Sequence, residues 1–95
     1  MAAYIIVDVK VTEPEAYERY KATVQPTLAK FGGKFVVRGG RYEILEGDWK
    51  PNRLVVLEFG SMERAKAWWN SDDYREPRKL RQSASITNMI VVDGI

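Results

Sequence analysis

Arg38 and Glu58 are the two side chains in this sequence best suited to act on a small molecule. Arg38 stands directly before Gly39-Gly40. A guanidinium fork grips a carboxylate or phosphate through paired hydrogen bonds, and neighbouring glycines let the backbone come close to the bound group. The plainer reading is an arginine at a strand bend, exposed or paired with Glu46 or Glu58. Glu58 lies between Leu57 and Phe59. Apolar company raises a carboxyl pKa, which suits a general acid or base. The competing reading is a structural ion pair. Strict alternation puts Arg53 and Glu58 on opposite faces of a strand, so Arg38 is the expected partner of Glu58.

Aromatic and hydroxyl side chains surround this pair in the sequence. Tyr17 and Tyr20 fall on the inward stripe of a helix, where a tyrosine packs its ring and brings its hydroxyl to a polar rim; either could donate to a ligand. Trp68 and Trp69 are adjacent and point about 100° apart on a helix. One is expected in the core, the other against a cavity for a planar ligand. Ser71 reads as a helix cap and Tyr74 as a pocket or core residue. Asp8 interrupts the second face of the first strand and reads as an exposed strand end. Arg75, Arg78, Lys79 and Arg81 read as a solvated face balanced by Asp72, Asp73 and Glu76.

Other chemistries are excluded by composition. The 95 residues include no cysteine and no histidine. Disulfides, thiolate nucleophiles, imidazole bases and the usual zinc or haem ligands are therefore missing. No metal and no cofactor is expected. A net charge of +2 is too weak to argue for nucleic acid or an anionic membrane. The Lys34-Phe35-Val36-Val37 segment does not match the aromatic strand motif of RNA-recognition domains. No stretch approaches the roughly 20 apolar residues of a membrane span. Nothing reads as a signal peptide or anchor, so the expected compartment is the cytoplasm.

These side chains need elements to position them. Ala3, Ile5, Val7, Val9 and Val11 alternate as one face of a strand. Thr12 and Glu15 read as a helix start with Pro14 in the first turn. Tyr17, Tyr20, Val24, Leu28 and Phe31 then recur at spacings of three and four, interrupted by Pro26, where a kink is expected. Gly32-Gly33 stops that helix. Lys34 to Glu46 reads as strand broken by a bulge or bend at Gly39-Gly40, and a turn over residues 47–52 joins it to a strand from Arg53 to Phe59. Ser61 caps a helix to about Asn70, and Ser71 caps a second, short helix that reaches Arg81 past Pro77. Ile86 to Val92 is the last strand.

The order β-α-β-β-α-β is that of the ferredoxin-like split unit, an α+β fold with a four-stranded antiparallel sheet and helices on one face, in a single domain over residues 1–95. The other face must be polar or covered. Tyr4, Ile6, Leu54, Val56, Ile86, Ile90 and Val92 make it apolar. Four strands at ~4.8 Å spacing and ~20 Å length present roughly 400 Å². A patch of that size predicts a homodimer with sheet against sheet.

The stretch Gly33-Lys34-Phe35-Val36-Val37-Arg38-Gly39-Gly40 resembles the signature of the Domain of Unknown Function 1330 family, as do Leu45-Glu46-Gly47, Arg53, Glu58-Phe59 and Ser71-Asp72-Asp73-Tyr74. The resemblance runs over nearly the whole chain. It implies the dimeric α/β-barrel superfamily, whose members pair sheets across a twofold axis. That superfamily includes cofactor-free monooxygenases, haem-degrading enzymes, chlorite dismutase-like enzymes and small isomerases. Its haem branches use a histidine ligand, which this chain lacks. The expectation is a small-molecule-binding protein, or a cofactor-free enzyme, with its pocket between sheet and helices. Arg38 would hold an anion and Glu58 a proton, while Tyr17, Tyr20, Arg53, Trp68, Trp69, Ser71 and Tyr74 would contact the ligand. The alternative is a non-catalytic homodimeric ligand-binding or stress-related module.

Overall fold

The alternation in the first strand becomes the centre of the sheet. A computed structural model describes residues 1–95 and contains β1 (Ala3–Val11), α1 (Pro14–Lys30), β2 (Lys34–Arg38), β3 (Arg53–Phe59), α2 (Met62–Trp69), α3 (Asp72–Ala84) and β4 (Ser85–Asp93). The strands are ordered β2-β3-β1-β4, and every neighbouring pair is antiparallel. This is the ferredoxin-like arrangement. Ala3, Ile5, Val7 and Val9 are buried toward the helices, as are Val55, Leu57 and Phe59 of β3. Thr87, Met89 and Val91 continue that face into β4, where it is partly exposed.

The spacing in α1 does what a helical stripe should do. Tyr17, Tyr20, Val24 and Leu28 are buried, and Thr27 joins them. The helix runs unbroken through Pro26. At its end Gly32 takes φ +73 and the Gly33 N–H reaches back to the Leu28 carbonyl at 2.9 Å, so the glycine stop forms as expected. Its start differs from expectation. Glu13, not Thr12, is the capping residue, and no side chain caps there. The Thr12 and Glu13 N–H groups instead bond the Ala84 carbonyl at 2.8 and 3.0 Å, tying the helix entry to the end of α3.

Ser61 and Ser71 cap α2 and α3 by accepting from the N–H groups of Arg64 and Tyr74. Pro77 lies within α3 without ending it. Trp68 is fully buried between Tyr74 and Phe59, with ring centroids 4.0 and 5.6 Å away. Its indole N–H donates to Thr27 Oγ1 at 2.9 Å, which pins α2 against α1.

The middle of the chain departs furthest from the sequence reading. Strand structure ends at Arg38 instead of Glu46. Gly39 takes φ +69, the left-handed region open to glycine, and turns the chain out of the sheet after one further bond from its N–H to the Leu54 carbonyl. Residues 40–52 then form an irregular connection. The bulge lies at Val36, between the pairs Phe35–Leu57 and Val37–Val56, and not at the glycine pair.

Candidate functional site

That bulge decides which groups can meet. In an unbroken register Arg38 would lie opposite Leu54, on the outer face with Glu58. The extra residue moves it opposite Val55, whose side chain points into the helix-covered interior. Glu58 stays on the outer face, half-exposed, paired in register with Tyr4 and Lys34, with Lys34 Nζ at 4.0 Å. The expected Arg38–Glu58 partnership is therefore absent, and the two are not part of one site. Arg53 falls opposite Glu58 in facing, as alternation requires, and joins Arg38 on the inner side.

Arg38 lies across the outer end of this interior. Its guanidinium stacks 4.2 Å from the Phe35 ring centroid and donates to Gln25 Oε1 at 3.3 Å and the Lys21 carbonyl at 3.4 Å. Arg53 lies 5.8 Å from the Tyr17 ring centroid, and its Nε–H is buried without a hydrogen-bond partner. Gly39 makes room for it, because a Cβ there would run into the Arg53 guanidinium. Gly39, and not Gly40, thus accommodates an arginine of the next strand.

Arg81 is the residue the sequence reading misplaced. It was expected on a solvated face, but in the last turn of α3 it is only 4% exposed. Its Nε–H donates to the Tyr74 hydroxyl at 3.2 Å, and that hydroxyl lies 2.8 Å from the Tyr20 hydroxyl. This chain of three polar groups crosses from α3 to α1 inside the apolar core. Burial, with the Tyr74 phenol alongside, raises the Tyr20 pKa, so Tyr20 stays a neutral phenol. Arg75 and Lys79 behave as expected, pairing with Asp72 and Glu76, whereas Arg78 is half-buried against Trp69 instead of lying on the solvated face.

A cavity of about 30 Å³ lies among these groups. Lys21, Arg38, Arg53 and Arg81 are the four cations among the fourteen residues around it, and no aspartate or glutamate is among them. Lys21 pairs with Glu18 on the surface, while none of the three arginines takes part in any of the five ion pairs of the chain. Of the three, Arg81 is buried, Arg53 half-buried and Arg38 exposed; a buried charge without a counter-ion is costly, by several kcal/mol. A second, larger cleft of about 600 Å³ opens between α2, α3 and β4, and Arg81 and Met89 line both spaces.

The ligand-contacting residues inferred from sequence therefore divide. Tyr17, Tyr20, Arg38, Arg53 and Trp68 surround the inner cavity, and Trp69 lines the outer cleft. Ser71 touches neither; its hydroxyl caps α3 and donates to the Trp68 carbonyl at 2.7 Å. Tyr74 contributes through its hydroxyl to the polar chain. Asp8 is more than an exposed strand end: it accepts from the Asn52 N–H at 2.9 Å and the Trp49 indole at 3.1 Å, holding the 40–52 connection. No group of three or more Asp or Glu side chains is gathered in a way that could hold a metal ion. No helix is long and apolar enough to cross a membrane.

Comparison with solved structures supports the fold. A protein of unknown function from Rhodopseudomonas palustris superposes with a TM-score of 0.80 at 22% identity, over 99% of this chain and 82% of that one. SnoaB, a cofactor-independent oxygenase from Streptomyces nogalater, gives 0.68 at 14% identity, over 99% and 93%. A proposed antibiotic biosynthesis monooxygenase from Nitrosomonas europaea gives 0.61 at 19%, over 100% and 99%. A search of curated proteins gives no match. The family model described as "Domain of unknown function (DUF1330)" matches residues 2–95, and this chain belongs to that family.

Proposed function

We propose that this protein binds a small organic acid on the helix-covered side of its sheet, as a homodimer closed through the other side. One observation carries the first half: three arginines border an interior cavity that has no acidic residue to balance them. A carboxylate supplies the missing charge and accepts from the donors that Arg53 and Arg81 leave open. The exposed apolar residues of the outer face support the second half. The likeness in fold to a cofactor-independent oxygenase fits a small-molecule role.

Binding without turnover is the form of this reading that the site favours. No carboxylate lines the inner cavity, Glu58 faces away from it, and the Tyr20 phenol holds its proton too tightly to act as a base. Cofactor-free isomerisation or oxygenation by the same site would need the ligand to supply its own reactive group.

Titration of benzoate into the protein, followed by calorimetry and by NMR shifts, tests the reading. Binding is expected, with Arg53→Met weakening it by roughly 10- to 100-fold, the worth of charge-assisted hydrogen bonds at about 1.5–3 kcal/mol. No response to benzoate, or equal affinity in a folded Arg53→Met variant, would remove the proposal.

A further inference from the structure

The inner cavity, at about 30 Å³, has space for little more than the head of an organic acid, so the rest of the molecule must lie elsewhere. The 600 Å³ cleft is the adjoining space, and its size is within the range of roughly 300–1,000 Å³ typical of ligand sites. Arg81 connects the two. It is 96% buried, yet the single hydrogen bond of its guanidinium is the one from Nε to Tyr74, which leaves its terminal nitrogens available to an acceptor. The cleft is as short of acids as the cavity behind it. Lys66 and Arg81 are its cations, and no aspartate or glutamate lines it.

The walls of the cleft specify a shape. Trp69, half-buried, stands on one side, with Ile5, Met89 and Val91 of the sheet on the other. The indole is held in place: the Arg78 guanidinium lies 4.4 Å from its ring centroid and donates to the Trp69 carbonyl at 2.6 Å. A fixed aromatic ring facing a flexible thioether and aliphatic side chains suits a flat apolar body, and little side-chain entropy is lost on binding it. Thr87 and Ser85, hydrogen-bonded to each other at 2.8 Å, add hydroxyls at the floor.

We propose that this cleft binds aromatic carboxylic acids, with the ring system lying against Trp69 and Met89 and the carboxylate meeting Arg81. The inference rests on the anion-binding reading above and adds to it a ligand class and two specificity residues, Trp69 and Met89. Trp69 is not among the residues around the inner cavity on which acid binding rests, so the two statements can fail separately.

A series of acetate, benzoate and 2-naphthoate, with 2-naphthamide as the uncharged control, separates them. Affinity is expected to rise along the acids, with naphthoate bound at least about tenfold more tightly than acetate, and the amide weaker than the acid by a similar factor. Trp69→Ala is expected to lose about tenfold for naphthoate and to leave the response to acetate unchanged. Arg81→Lys, which keeps the charge but not the fork, is expected to narrow the gap between acid and amide; a circular dichroism melt checks that each variant folds. A flat series, or naphthoate affinity untouched in Trp69→Ala, would overturn the proposal while leaving acid binding intact, whereas an amide that binds as well as its acid would overturn both readings. If none of the acids binds, both readings fall together.

Discussion

At the scale of single residues, buried side-chain hydrogen bonds join α1 to α2 and to α3. Thr27 is the clearest case. Its hydroxyl donates to the Val24 carbonyl at 2.6 Å and accepts from the Trp68 indole at 2.9 Å. Thr27→Val keeps the shape and orphans the indole N–H of a fully buried tryptophan. The expected loss is about 1–3 kcal/mol, read as a lower urea midpoint at unchanged slope; a midpoint equal to wild type would mean the bond contributes nothing. Arg81 follows the same pattern through Tyr74 and Tyr20, and its place was the least legible in the sequence. It sits in a run of charged residues, and composition alone assigns such a run to solvent. A signal was nevertheless present. Arg81 is seven residues after Tyr74 and three before Ala84, so all three share one helical face, and both neighbours are buried.

Secondary structure was legible wherever period and punctuation agreed. Alternation located β1, β3 and β4, and the three–four spacing located α1, because those patterns are the direct imprint of one buried side. β2 was harder. A bulge costs one residue and leaves no mark in hydrophobicity when valine stands on both sides of it, as at Val36-Val37, and that one residue reversed the facing of Arg38. The connection that follows is held by Asp8. The Asn52 N–H beside its carboxylate lowers the Asp8 pKa against a smaller opposing effect of burial, with the Trp49 indole and the Asn52 amide adding to the lowering. A carboxyl whose folded pKa is depressed stabilises the fold above its unfolded value, near ~3.9, and loses that contribution as pH falls through the lower folded value. The indole N–H of Trp49 is therefore expected to remain protected from exchange from neutrality down past the ordinary carboxyl value and to be released only at lower pH, as Asp8 takes up its proton. In Asp8→Ala it is expected to exchange freely at every pH. An NMR exchange series on Trp49 reads both, and protection that persists in Asp8→Ala would assign the anchoring to other contacts.

For the molecule as a whole, the two sides of the sheet differ in character. The helix side holds the arginines. The outer side leaves Ile86 and Ile90 62% and 60% exposed, with Val36 and Val92 in the same condition. A stable interface needs about 800 Å² from each partner, which is more than the roughly 400 Å² of a four-stranded face. The 40–52 connection supplies further apolar surface in Ile44, Leu45 and Trp49, and Asp8 ties it from the outer face. A twofold pairing that covers the connection as well as the face comes nearer that size than the bare sheet does. Val56 lies in β3 opposite Ile6 of the central strand, on that outer side. In the proposed dimer, Val56→Lys would bury a charge in the outer face of each copy, at a cost of several kcal/mol per ion. Wild type is expected to sediment as a dimer at micromolar concentration, and Val56→Lys as a folded monomer. Because Arg38, Arg53 and Arg81 border the cavity on the other side of the sheet, the monomer should still bind benzoate. Loss of binding together with the dimer would show that the second copy completes the pocket, and a monomeric wild type would leave the exposed face without the partner assigned to it here.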